Sequence, residues 1–305
     1  MSIVKTDVPT TAKLCDDTIQ ALTQRYPGSF SELLTLTAYG RPIRSLGLGR
    51  GPRKVLFTAA HHANEWITAP VLLKFVEDLA RAAEEGNSLG GVDAKDLLEQ
   101  VTIYTVPMVD PDGVALVTGE ITPEADEYAA AREIAENFPQ IPFPDGWKAN
   151  LNGVDLNLNY PAGWLRAREI KFMQGFDRPA PRDYVGRAPL DQPETRALAA
   201  YTEYIDPALV LAYHSQGQVI YWQFDDIFVP GAEELGRRLS EVSGYALEDT
   251  PYNSAFAGYK DWFIQNYRRP GYTVEVGMGE NPLPLSQFDA IYRENLPLLL
   301  IAAQG

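Results

Sequence analysis

Short runs of almost unbroken apolar character put the tightest constraint on how this chain of 305 residues can fold. "KVLFTAA" (54–60), "VTIYTVPMV" (101–109), "ALVLAYHS" (208–215) and "GYTVEVG" (271–277) are rich in Val, Ile, Leu, Thr and Tyr and show little polar alternation. Such runs read as strands, and strands with no polar face are covered on both sides. "LLTLTAYG", "IRSLGLG" and "VIYW" add further candidates. Helical patterns lie between them. In Trp66 to Glu85 the residues Leu72, Leu73, Phe75, Val76, Leu79 and Ala80 form one 3.6-period stripe, with Lys74, Glu77, Asp78 and Arg81 on the opposite, solvent face. "PEADEYAAAREIAENF", "QPETRALAAYTEYI", "GAEELGRRLSEV" and "LSQFDAIYRENLPLLLIAA" read similarly. The alternation predicts an α/β single domain with a central mixed, largely parallel β-sheet flanked by helices. It would span residues 1–305, with an N-terminal helix and lead-in strand in 1–38. In such folds ligands gather in loops beyond the carboxyl ends of strands.

The 41 acids against 26 bases give a formal charge of -15, which argues against nucleic acid or an anionic membrane surface as partner. Cys15 is the single cysteine, which excludes an intramolecular disulfide and a Cys-based metal site. There is no internal repeat, no signal-peptide pattern in "MSIVKTDVPTTAKLCDD" and no apolar run long enough to span a bilayer, so a cytoplasmic location is the expectation. The segment Phe138 to Leu190 carries seven prolines and is expected to be an irregular connection holding the binding loops.

The chain has three histidines, and two of them stand together in "TAAHHANEWITAP" (58–70), where an apolar run turns into a helical pattern. His62 and Glu65 form H-x-x-E, and His214 ends the run "ALVLAYHS". Two imidazoles and a carboxylate suit zinc, and a catalytic zinc keeps three protein ligands plus an open position for water. H-x-x-E by itself is weak, because any solvated helix start can contain it, and a lone histidine at a strand end is usually a satisfied core residue. Glu275 stands in the middle of the apolar run "GYTVEVG", where a carboxylate is costly to bury unless paired or used. Beside a metal-activated water such a residue is the natural general base.

Several motifs in order resemble the zinc carboxypeptidase superfamily. "HHANEWIT" resembles its first metal motif, "PMVDPDG" its N-P-D-G turn with Asp110 in place of Asn, and "NGVDLNLNYP" its G-V-D-x-N-R-N segment. "LDQPET" resembles its acidic-Pro-Glu-Thr helix start, "LAYHSQGQVIYW" its third-ligand strand, and "KDWF" followed by "YTVEVG" its general-base region. The resemblance covers the chain from about Tyr39 to the C-terminus. It implies that His62, Glu65 and His214 bind one zinc ion per chain, that Glu275 is the general base and that Asp155 orients His62. Tyr252 stands near the family's mobile tyrosine, one residue off the usual spacing, and Tyr259 competes for that role. His61 would support the loop or line the cleft.

The departures carry as much as the matches. In exopeptidase members the Asn-Arg of G-V-D-x-N-R-N grips the free C-terminal carboxylate of the substrate; here those positions are Asn157 and Leu158. Leucine cannot replace the bidentate fork of arginine. Asn64 likewise stands where digestive carboxypeptidases carry an arginine. Lys148, seven residues before Asp155, takes the place of the arginine that polarises the scissile carbonyl, keeping the charge and losing the fork. "WKANLNGVDLNLNYPAGW", "RPAPRDYVG" and "EVGMGENPLPLSQF" look like the bacterial γ-D-glutamyl-L-diamino-acid endopeptidases, which cut the γ-D-Glu to diaminopimelate or lysine bond of cell-wall peptides. The implied partner is then a muropeptide or another peptide. Its carboxylates would call for cations at the site, with Lys148, Arg166, Arg168, Arg182 and Arg187 as candidates and Arg182 and Arg187 favoured. A conventional metallocarboxypeptidase, an N-acyl amino acid deacylase of the same superfamily and a non-catalytic wall-peptide-binding module stay open as alternatives.

Overall fold

The structure, a computed structural model, describes residues 2–305. Eight strands share one sheet: β1 (Ser29–Phe30), β2 (Leu46–Gly49), β3 (Arg53–Thr58), β4 (Val101–Val106), β5 (Leu209–His214), β6 (Val219–Tyr221), β7 (Ala246–Glu248) and β8 (Gly271–Glu275). Their spatial order is β1-β2-β4-β3-β5-β8-β6-β7. The central four, β4, β3, β5 and β8, run parallel. Next to them β2 is antiparallel to β4 and β6 antiparallel to β8, so the sheet is mixed and mostly parallel.

Ten helices surround it: α1 (Ala12–Arg25), α2 (Thr68–Glu85), α3 (Ala94–Gln100), α4 (Pro111–Val117), α5 (Asp126–Ala135), α6 (Trp164–Met173), α7 (Pro193–Ile205), α8 (Ala232–Ser243), α9 (Tyr259–Tyr267) and α10 (Phe288–Gln304). The central strands have apolar residues on both faces because each face has its own helical layer. Val55 and Phe57 of β3 and Leu209, Leu211 and Tyr213 of β5 pack with residues of α1, α2, α8 and α10. Leu56 of β3 and Val210 and Ala212 of β5 point the other way, into a core built with α6, α7 and α9. Among the described residues no helix is long and apolar enough to cross a membrane.

Two features differ from the sequence reading. Trp164–Met173 is a helix within the Pro-rich segment expected to be irregular, and its buried residues Trp164, Ala167, Ile170 and Lys171 recur at helical spacing. Glu77 and Asp78, expected on the solvent face of α2, are 1% and 7% exposed. Asp78 is held by Lys74, Arg81 and the Tyr292 hydroxyl, while Glu77 accepts from the Ser2 hydroxyl and the Ile3 amide. Periodicity finds one covered face of a helix; it is blind to a second face covered by partners from distant segments.

Parallel register places the site. His214 pairs with Glu275 at the carboxyl ends of β5 and β8, and Thr58 ends β3 in line with Ala212 and Val106. Four strand ends therefore open at one edge. The turn after β3 is then pinned: Asp110 N–H donates to Ala60 O, Ala63 N–H to Lys148 O, and Thr68 Oγ1 accepts from the Ala60 amide. Asp110 caps α4 by accepting from the Gly113 amide at 2.9 Å. Gly113 is needed for close approach, since a Cβ there would lie 2.5 Å from Ala149 O and 2.7 Å from Ala63 Cβ. Gly113→Ala is accordingly expected to cost about 1–3 kcal/mol through overpacking, read as a lowered urea midpoint. A midpoint equal to that of the unaltered chain would show that this contact can relax freely.

Candidate metal centre and active site

His62 is the first residue of a tight turn, with Ala63–Glu65 forming one 3-10 turn closed by Glu65 N–H donating to His62 O at 3.2 Å. Side chains three residues apart eclipse one another in such a turn, which is why H-x-x-E puts both groups on one side. His214 comes to them from the end of β5. The ligand atoms of His62, Glu65 and His214 all lie within 4.8 Å of one another, and all three residues are buried.

Both imidazoles face inward through Nδ1. His62 Nδ1 is 3.0 Å from Glu65 Oε1, His214 Nδ1 is 3.0 Å from Glu65 Oε2, and the two nitrogens are 3.2 Å apart. Two imidazole lone pairs cannot face each other at that distance unless a ring proton or a metal ion stands between them. The site therefore suits one cation, either a proton or a metal ion, and the N, N, O donor set fits zinc. His62 shows the same pull: burial alone would lower its pKa, but the Glu65 and Asp155 carboxylates outweigh burial and raise it to about 9. Burial lowers the pKa of His214. Burial also opposes ionisation of Glu65, yet His62 and Lys148 hold it well below the usual carboxylate range.

The outer contacts orient these groups. His62 Nε2 is 3.0 Å from Asp155 Oδ1, a carboxylate that also accepts from the Asn157 and Asp183 amides. Such a bond fixes the ring and its tautomer. Lys148 Nζ donates to Glu65 Oε1 at 2.7 Å. His61 is no part of the donor cluster: it is fully buried, stacks on His214 with ring centroids 5.5 Å apart, and burial holds its pKa well below the ordinary value.

Two cavities meet here. One, of about 200 Å³, is lined by His62, Asp155, Asn157, Leu158, Lys260 and Asp261 among others. The second, of about 780 Å³, runs past Asn64, Asp145, Ser215, Glu280 and Asn281. Lys148, Arg182, Tyr221 and Glu275 line both, so the junction is where chemistry would take place. Enclosure, and next the Glu65 carboxylate, push the Glu275 carboxyl up to about 8; a dication held by the triad would pull it back down.

Of the residues singled out in the sequence, the fold brings His62, Glu65, His214, Glu275, Lys148, Asp155, Asn157 and Arg182 together. Arg187 is not among them: it is exposed, its amide bonds Asp191, and it lines neither cavity. Arg166 lies over Phe256, and Arg168 over Phe172. Tyr259 is fully buried with its hydroxyl 2.7 Å from Thr202 Oγ1, which leaves it no freedom to move. Tyr252 is 63% exposed on a turn whose neighbours Pro251 and Ser254 line the smaller cavity.

Sequence reasoning missed Lys171, Tyr221, Lys260 and Asp261. Lys260 is 3% exposed and forms an ion pair of 2.6 Å with Asp261, and Lys171 is bound to Asp183 at 2.5 Å. A signal existed for Lys171, a lysine on the buried stripe of a helix. Tyr221 had none, because a tyrosine at a strand end is ordinary.

Residues 15–298 match the model of the zinc carboxypeptidase family, peptidase M14. The chain is 43% identical over 282 residues to gamma-D-glutamyl-L-diamino acid endopeptidase 1 of Lysinibacillus sphaericus, covering 92% of this chain and 69% of that protein. Carboxypeptidase A from Helicoverpa armigera shares the fold with a TM-score of 0.74 at 18% identity, covering 100% of this chain and 74% of that one. A murein-tripeptide amidase from Escherichia coli O157 does so with a TM-score of 0.53 at 20% identity, covering 88% and 91%.

Asp155→Ala removes the acceptor that orients His62 Nε2. It is expected to weaken zinc binding about 10- to 100-fold, measured by competition with a chromogenic chelator. Undiminished affinity in a folded variant would refute an orienting role.

Proposed function

Because the chain belongs to the zinc carboxypeptidase family and is a zinc-dependent metallopeptidase, we propose that it hydrolyses the γ-D-glutamyl to diaminopimelate, or lysine, bond of peptidoglycan stem peptides. His62, Glu65 and His214 hold one zinc ion in this reading. A zinc ion held by them would supply Lewis acidity at the scissile carbonyl and would lower the pKa of water toward neutrality.

The remaining steps belong to the chain's own residues. Glu275, at the junction of the two cavities, takes the proton of the attacking water and passes it to the leaving amine. Lys148 Nζ, already within the centre, places a fixed positive charge near the developing oxyanion. Asp155 holds the His62 ring, and Tyr252 would close over the substrate from the exposed rim. Asn157 keeps its side-chain oxygen on the Tyr259 amide and so shapes the wall beside the substrate.

The observation that carries the substrate class is the lining of the smaller cavity. Leu158 offers no grip on a terminal carboxylate, while in the lining of the same space Lys260 and Asp261 present a buried ion pair. The distal end of diaminopimelate carries an ammonium and a carboxylate, and a paired cation and anion complement it. Arg182 lines both cavities and is placed to meet a further substrate carboxylate. The likeness to a relative named as a γ-D-glutamyl-L-diamino acid endopeptidase supports the same reading.

Purified zinc-loaded protein should release diaminopimelate-containing product from L-Ala-γ-D-Glu-diaminopimelate and leave hippuryl and N-acyl amino acids nearly untouched. The reverse preference would overturn the substrate class while leaving the metallopeptidase intact. Glu275→Gln should keep zinc bound and lower kcat by about 10²–10⁴-fold, the usual worth of a positioned acid-base group. A variant that still turns over at the original rate would remove Glu275 from the mechanism.

A further inference from the structure

Asn281 lines the larger cavity beside Glu275, and both polar atoms of its side chain bond Ser215. Nδ2 donates to Ser215 O at 2.7 Å, and Oδ1 accepts from Ser215 Oγ at 2.9 Å. The amide thus grips one residue twice. Ser215 is 2% exposed and directly follows His214. Its own N–H donates to Glu65 Oε2 at 3.2 Å.

Two further bonds tie the same segments. Val276 N–H donates to His214 O at 2.8 Å, and Gly217 N–H to Gly277 O at 2.9 Å. The loop leaving Glu275 is therefore laced to the residues leaving His214, and Asn281 supplies the side-chain part of that lacing. We propose that Asn281 is a positioning residue for the metal centre, holding Ser215 so that its N–H fixes the plane of the Glu65 carboxylate. This rests on the reading of His62, Glu65 and His214 as the metal ligands. Lys148 Nζ holds Oε1 of Glu65 and the Ser215 N–H holds Oε2, so loosening Ser215 takes the backbone donor from one of the two oxygens and relaxes the carboxylate plane.

The chemistry of the amide makes the role specific. Aspartate at 281 would set an oxygen against the Ser215 carbonyl, replacing a bond with repulsion. Alanine would release both contacts, and Ser215→Ala would release only the hydroxyl.

The test titrates apoprotein of Asn281→Ala, Asn281→Asp and Ser215→Ala with zinc against a chromogenic chelator, with circular dichroism to report folding. Asn281→Ala should bind zinc about 10- to 100-fold more weakly, Asn281→Asp at least as weakly as that, and Ser215→Ala by a smaller factor. On a peptide substrate at saturating zinc, kcat should fall with KM little changed. Zinc affinity equal to that of the unaltered chain would overturn the proposal, as would a raised KM with unchanged affinity, which would make Asn281 a substrate contact. Should Asn281→Ala fail to fold, Ser215→Ala decides alone, and undiminished zinc affinity there overturns it. An unaltered chain that binds no zinc would refute the metal reading instead, which keeps the two failures apart.

Discussion

Glu65 is 1% exposed, and its two oxygens are met by His62 Nδ1, His214 Nδ1, Lys148 Nζ and the Ser215 amide. An isolated carboxylate in such a place would cost several kcal/mol. Here the compensation arrives from three separate stretches: the turn after β3, the end of β5 and the Pro-rich segment. Each must be in place before the charge is tolerable. The parallel register of β5 with β3 and β8 fixes two of these approaches, and the Ala63 amide bonded to Lys148 O brings in the third. One buried anion thereby couples the long-range topology to a cluster of a few ångströms.

The same constraint explains the charge distribution around the cleft. The chain as a whole is strongly acidic, but Lys148, Lys171, Arg182 and Lys260 in the smaller cavity are set against Asp155, Asp183, Asp261 and Glu275. The pairs Lys171 with Asp183 and Lys260 with Asp261 are formed inside the protein and stay close to the cavity surface. A wall of paired charges of this kind differs from an open basic patch.

Much of the architecture was legible because strands covered on both faces leave unbroken apolar runs, as in "ALVLAYHS" and "KVLFTAA". The metal-type cluster was legible for a different reason: "HHANEWIT" and "LAYHSQGQVIYW" resemble the family's metal motifs, with His62 and Glu65 three residues apart and His214 at a strand end. What stayed hidden depends on contacts between distant segments. Glu77 and Asp78 look like solvent-facing acids until Ser2, Ile3 and Tyr292 cover them. Arg187 and Arg182 are alike as residues, and only the path of the loop puts one in the cavity lining and leaves the other exposed with its backbone amide on Asp191. Lys260 opens the recognisable stretch "KDWF", but its place in the cavity lining depends on the segments packed around it, which no spacing encodes.

Leu158 has a consequence for inhibitor design. A ligand carboxylate set against this part of the smaller cavity would meet a 7% exposed leucine. Desolvating that carboxylate against an apolar wall is a penalty rather than a gain. A ligand carrying a small branched alkyl group there and a charged pair further in would exchange the penalty for burial of apolar surface. The leucine is thus a handle for ligands shaped to this cavity.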